Sequence, residues 1–262
     1  MQISSSQSLG VNFSFPKPCQ LTDLDLKYCK ANHEVLEQLL KSCHSLEKIS
    51  LANLTTNSKM LRNICLQNGH SLQVLVLAQC KGLDIESIHH IVNNCFDLKE
   101  INLDMTYLSQ DAINFLVNKL EPKITSLSLA WLEDVKDENV NVLISRCTNL
   151  KALDLRGTPI TNDSVNIIIE YLTNSLEELS ISYTKINFHK LLDLDAMLKL
   201  RNLNCLHLEN VEVENLEKKL PHLNINRKMK IATSIQLLEP ENGIWDDIES
   251  VNRINRMNLF PT

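Results

Sequence analysis

Apolar residues recur along this chain in one order, L-x-x-L-x-L. It appears at Leu21-Leu24-Leu26, Leu46-Ile49-Leu51, Leu72-Leu75-Leu77 and Leu98-Ile101-Leu103. It returns at Ile124-Leu127-Leu129, Leu150-Leu153-Leu155, Leu176-Leu179-Ile181 and Leu203-Leu206-Leu208. The first positions of these eight units lie 25, 26, 26, 26, 26, 26 and 27 residues apart. The closing L-x-L has period two, which sets two apolar side chains on one face of a short strand and the residues between them on the other. Helix-like segments follow, among them Glu34–Cys43, Glu86–Cys95, Asp111–Leu120, Glu138–Cys147 and Asp163–Leu172. One strand-and-helix unit cannot cover its own apolar face, whereas a stack of them shares a continuous core.

A repeat of ~26 residues in this order predicts an α/β fold, the leucine-rich-repeat solenoid. The expected form is a curved horseshoe of about eight repeats, with parallel strands inside and helices outside. Residues 1–18 form a lead-in, 19–223 the repeat domain and 224–262 a tail. An open last rung exposes apolar side chains, so the tail is expected to cap it or to fold back on the concave face.

Composition narrows the function classes. Aromatics make up 5%, so Leu, Ile and Val must build the core. Five glycines leave little room for Gly-rich phosphate loops. The net charge of −6 and pI near 5.8 speak against nucleic acid or an anionic membrane as partner. No apolar run is long enough to span a bilayer, and Met1 to Pro18 lack the basic and apolar regions of a secretory signal. The expected location is therefore the nucleus, the cytoplasm or both, with the eight cysteines reduced. Cys43, Cys95 and Cys147 fall at helix ends. Cys29 and Cys80 fall three residues past a repeat's last Leu, where a thiol can bond to turn backbone, and Cys65 falls at a core position. Cys205 falls on an inner-face position. No C-x-x-C pair, nucleophile elbow, H-E-x-x-H or P-loop occurs, so no metal, cofactor or catalytic residue is expected, and the chain reads as a binding protein rather than an enzyme.

A partner then belongs on the concave face, lined by the residues between the apolar strand positions. In the first four repeats the candidates are Asp25, Lys27, Lys48, Asn102 and Asp104. In the later repeats they are Ser128, Asp154, Arg156, Glu178, Ser180, His207 and Glu209. With Asp23 and Glu100 counted, this face carries seven acids and three bases, which favours a partner with a basic or mixed surface. Tyr28, Met105, Trp131 and Tyr183 lie just past their strands, either as anchors for a partner or packed on the adjacent turn.

The chain resembles the leucine-rich-repeat half of the S-phase kinase-associated F-box protein family, over roughly Phe13 to Ile248. The resemblance rests on Cys147-Thr-Asn-Leu-Lys-Ala-Leu-Asp-Leu-Arg156, on Ile124-Thr-Ser-Leu-Ser-Leu129 entered from Glu121-Pro-Lys, and above all on Leu220-Pro-His-Leu-Asn-Ile-Asn226 followed by Ile244-Trp245. It implies the substrate receptor of a cullin-based (SCF) ubiquitin ligase, whose repeats and tail hold a Cks adaptor and a phosphorylated cell-cycle inhibitor for degradation. About twenty residues precede the first repeat, so no F-box is expected there and docking onto the ligase core is not expected of this stretch. Where the family's substrate face has Trp, Asp and Arg, this chain has Met105, Gly157 and Tyr183, and those roles are not carried over. The alternative is a scaffold or inhibitor of the same fold with no link to ubiquitin.

Overall fold

The computed structural model describes residues 21–29, 33–206 and 208–226. The chain divides into two compact units, Met1–Ile124 and Thr125–Thr262. The first unit contains β1 (Asp23–Asp25), α1 (His33–Ser42), β2 (Lys48–Ser50), α2 (Ser58–Asn68), β3 (Val74–Val76), α3 (Ile85–Asn94), β4 (Glu100–Asn102) and α4 (Gln110–Lys119). The second contains β5 (Ser126–Ser128), α5 (Asp137–Arg146), β6 (Ala152–Asp154), α6 (Asn162–Leu172), β7 (Glu178–Ser180), α7 (Phe188–Leu191), β8 (Asn202–Asn204), α8 (Asn210–Lys219) and β9 (Asn224–Ile225). Strands and helices alternate in each unit, as the repeat predicts.

Within each unit the strands are parallel and in register. Leu24 pairs with Ile49, Ile49 with Leu75 and Leu75 with Ile101. In the second unit the row is Leu127, Leu153, Leu179, Leu203 and Ile225. These apolar rows pack with helix residues such as Leu39, Ile64, Ile88, Ile113, Leu143 and Ile168, all buried. Burying one such side chain contributes about 2 kcal/mol, and the register repeats that gain once per rung. Helix starts follow local capping: Asn57, Asp84, Ser109 and Thr161 each accept a hydrogen bond from a first-turn N–H.

Each strand closes in the same turn. In the first unit the N–H of Cys29, Leu54, Cys80 and Thr106 donates to the carbonyl of Leu26, Leu51, Leu77 and Leu103; in the second, Leu132 and Thr158 donate to Leu129 and Leu155. The residue before each of these donors has positive φ: Tyr28, Asn53, Gln79, Met105, Trp131 and Gly157, with Tyr183 at the same position of the next repeat. The polar residue after it closes the turn again through its side chain. Thr106, Thr158 and Thr184 hydroxyls donate to the carbonyls of Leu103, Leu155 and Ile181 at 2.7, 2.5 and 2.7 Å. Cys80 Sγ donates instead to the preceding repeat, to Leu51 O at 3.0 Å.

The eighth rung corrects the sequence register. Leu203 pairs with Leu179 and Ile225, so the rung runs Leu200-Leu203-Cys205 and not Leu203-Leu206-Leu208. The cause is a shortened seventh repeat, where α7 has four residues and a 3₁₀ turn (Leu192–Ala196) completes the crossing. Leucines at 200, 203 and 206 allow the motif to be read three residues late. Cys205 therefore takes the third core position and is buried at 0%, while Leu206 is 52% exposed. No helix among the described residues is long and apolar enough to cross a membrane.

The Asp137 carboxylate, in the first turn of α5, accepts from Thr161 N (3.0 Å), Thr161 Oγ1 (2.8 Å), Ser164 N (3.2 Å) and the Ser164 hydroxyl. It thus caps α6 from the preceding helix, where an anion is favoured. Asp137→Ala should lower stability by about 2 kcal/mol in urea unfolding, and a loss under about 0.5 kcal/mol would contradict this role. Burial pushes the Cys80 and Cys205 thiols up to about 12 from the ordinary 9.0. Unfolded thiols ionise near the ordinary value, so stability is full below pH 9 and falls as pH rises towards 12. Urea midpoints at pH 8 and pH 11, compared with a Cys80→Ala, Cys205→Ala chain, check the window: the double variant should show the smaller fall.

Candidate partner-binding face

Residues flanking the Leu rows point away from the helices. In the first unit they form two rows, Asp23–Lys48–Val74–Glu100 and Asp25–Ser50–Val76–Asn102. In the second the rows are Ser126–Ala152–Glu178–Asn202–Asn224 and Ser128–Asp154–Ser180–Asn204. Of the residues expected on this face, Asp25, Lys48, Asn102, Ser128, Asp154, Glu178 and Ser180 lie in these strands. Lys27, Asp104 and Arg156 follow two residues beyond the second row. Met105, Trp131 and Tyr183 occupy the left-handed turn position. His207 lies outside the described residues. Glu209 is not on the strand face: with the register shifted, it is the exposed N-cap of α8, and Glu212 accepts its N–H. Asn202 and Asn204 take the face positions instead. The repeat motif misplaced them because its third Leu is a Cys here.

Several of these polar residues hold the backbone. Asp25 Oδ1 accepts from Lys27 N at 3.0 Å, Asn102 Oδ1 from Asp104 N at 2.8 Å and Asp154 Oδ1 from Arg156 N at 3.1 Å. An Asp or Asn at this position bonds two residues on, satisfying an N–H at the end of its strand. Asn102 Nδ2 also donates to Asp104 Oδ2 at 3.2 Å. Asp154 is buried at 0%, and its Oδ2 lies 3.0 Å from Arg156 Nε. Removing Arg156 would leave a buried carboxylate without its cation. The Lys48–Asp23 pair, 3.9 Å apart with both side chains about 60% exposed, contributes little. In the second unit a polar chain crosses three strands: Asn202 Nδ2 donates to Glu178 Oε1 at 3.3 Å, and Asn224 Nδ2 to Asn202 Oδ1 at 3.0 Å.

Within each unit the turn residues form a ridge along the strand ends. Lys27 Nζ sits 5.4 Å from the Tyr28 ring centroid, and Gln79 Nε2 is 3.4 Å from Met105 Sδ. Trp131 reaches past one whole repeat to Tyr183, their ring centroids 5.7 Å apart and 30° from parallel. Gly157 makes that reach possible: a Cβ there would lie 2.2 Å from Trp131 Cε3. Trp131 is 3% exposed, so it packs on its neighbours, while Tyr183 stays half-buried.

Four acids and two bases therefore border the face of the first unit, Asp23, Asp25, Glu100 and Asp104 against Lys27 and Lys48. Two acids and one base, Asp154, Glu178 and Arg156, border that of the second. Among the described residues no group of three His, Cys, Asp or Glu is placed to hold a metal ion. Such a surface offers hydrogen-bond acceptors and flat aromatic area to a macromolecule.

Parallel strands alternating with helices, and a left-handed turn in each of the first seven repeats, define a leucine-rich-repeat protein. Residues 2–248 match the family model of the SKP2 LRR domain, and the chain belongs to that family. The crystal structure of the Rad7 and Elc1 complex in yeast contains a similar chain, at 15% identity and a TM-score of 0.59, which shows the shared fold. The match covers 79% of this chain and 54% of that one, so this chain spans about half the length of that neighbour.

Gly157 should tolerate no side chain. Its φ of +66° disfavours any other residue, and a Cβ would collide with Trp131. Gly157→Ala should cost about 2–4 kcal/mol. In a Trp245→Phe background it should also shift Trp131 emission to longer wavelength; unchanged stability and emission would show that Trp131 does not lie over this position.

Proposed function

We propose that this chain is the substrate-recognition module of an SCF-type ubiquitin ligase. It binds a protein on the outward strand faces and adjoining ridge, in the nucleus or cytoplasm, so that the bound protein is ubiquitinated and degraded. The observation that carries this reading is the family match over residues 2–248. The build of the site supports it, because the strand faces carry charged residues and the turns beside them carry Tyr28 and Tyr183. The substrate class proposed is a phosphorylated cell-cycle regulator presented with a Cks-type adaptor. The acidic excess on these faces leaves phosphate to be read by the adaptor.

An affinity pull-down from cells, with and without added Cks protein and read by mass spectrometry, tests the reading. Recovery of ligase subunits with a Cks-dependent cell-cycle regulator is the expected result. Recovery of regulator and Cks protein without ligase subunits would make the chain a decoy for that substrate. Unrelated partners with neither would leave the ubiquitin-independent scaffold. Glu178→Lys should weaken the recovered complex at least about tenfold, with helical content unchanged. Full affinity in that variant would remove the second unit's strand face from the interface.

A further inference from the structure

The seven cysteines among the described residues are free and buried. Cys43 and Cys80 donate their thiol hydrogens to main-chain carbonyls, those of Leu39 and Leu51. Cys65 differs, because its thiol is hydrogen-bonded to that of Cys95 on the next helix. Cys65 lies on α2 at the inward position that Leu39, Ile91 and Val117 hold in α1, α3 and α4. Cys95 caps the C-terminus of α3, its N–H donating to Ile91 O at 3.0 Å. The two helix ends meet at the backbone: a Cβ on Gly69 would lie 2.2 Å from the Asn94 carbonyl oxygen. A core position held by aliphatic residues in the sister helices is thus given a thiol, and it faces a second thiol across this contact.

We propose that Cys65 and Cys95 are a redox pair, which a hydroperoxide closes into a disulfide joining α2 to α3. One thiolate attacks the peroxide oxygen, giving a sulfenic acid and expelling hydroxide, which takes up the proton the thiol gave up and leaves as water when the oxidant is hydrogen peroxide. The second thiolate attacks that sulfur, forms the S–S bond and expels hydroxide, which takes up a proton as a second water. Two thiols are oxidised and one peroxide is reduced, and a dithiol reductant reverses the step. Both residues are closed to solvent, at 1% and 3% exposure, and the neighbouring thiol and burial hold Cys65 far above the ordinary thiol range. Oxidation therefore needs the last turn of α3 to open, at the end where Phe96 stands 54% exposed. Once formed, the bond would staple α2 to α3 in the first unit.

The full chain is treated with hydrogen peroxide, quenched, denatured and alkylated, then mapped by mass spectrometry without reduction. The expected result is a mass lower by about 2 Da, two fewer alkylated thiols and one cross-linked peptide joining Cys65 to Cys95, all restored by dithiothreitol. The thermal midpoint of the oxidised chain should rise by roughly 5 °C. Cys65→Val, which installs the residue found at this position in α4, should keep the fold and abolish the cross-link. All eight thiols surviving prolonged peroxide, or a cross-link between any other pair, overturns the proposal.

Discussion

Within each unit the fold depends on carrying the strand ladder one step beyond the strand. Leu26 N donates to Ser50 O and Tyr28 N to Ala52 O; Leu129 N donates to Asp154 O and Trp131 N to Arg156 O. The chain reaches that last bond by turning through a left-handed residue, which only glycine adopts without cost. Tyr28, Gln79, Met105, Trp131 and Tyr183 adopt it all the same. Each forgoes roughly 1 kcal/mol, and the ladder bond and the closing i→i+3 hydrogen bond offset that loss. The ladder fixes the register of successive repeats, and the register brings each Leu row into line.

That turn also shapes the outward face. A large side chain at a left-handed position lies across the strand ends, so the ridge passes from repeat to repeat. Trp131 takes this furthest, because Gly157 gives it no side chain to climb over and Tyr183 lies beyond. Charge on the same face is less free than its composition suggests. Asp25, Asn102 and Asp154 are occupied with the backbone two residues on, and Asp154 also pairs with Arg156. Of these three only Asp25 stays partly exposed, so the carboxylate a partner meets there is already held in a fixed orientation, which favours specificity over adaptability.

The cysteines divide by position rather than by chemistry. Cys80 bonds across to the carbonyl of Leu51 in the preceding repeat, Cys205 fills a core position as isoleucine does in the previous rung, and Cys95 and Cys147 end helices. Only the contact between Cys65 and Cys95 brings two thiols together among the described residues, because it needs both a helix-interior and a helix-end cysteine in adjacent repeats.

The period of apolar residues by itself determined the strand-and-helix order, the core rows and the ends of most helices to within a residue or two. Period-two and helical patterning record which side of each element is buried, and the constant spacing makes neighbours align. The sequence also marked Tyr28, Met105, Trp131 and Tyr183 as standing just past their strands. It did not reveal that they are left-handed, since no residue type there announces it apart from Gly157 and Asn53. Tertiary structure decided the eighth rung, where three evenly spaced leucines permit two registers and pairing with Leu179 and Ile225 selects one. It alone decided where Trp131 comes to rest and which thiols meet. Each of those depends on contacts between residues a full repeat or more apart, and a one-dimensional pattern can align such residues without saying which of them touch.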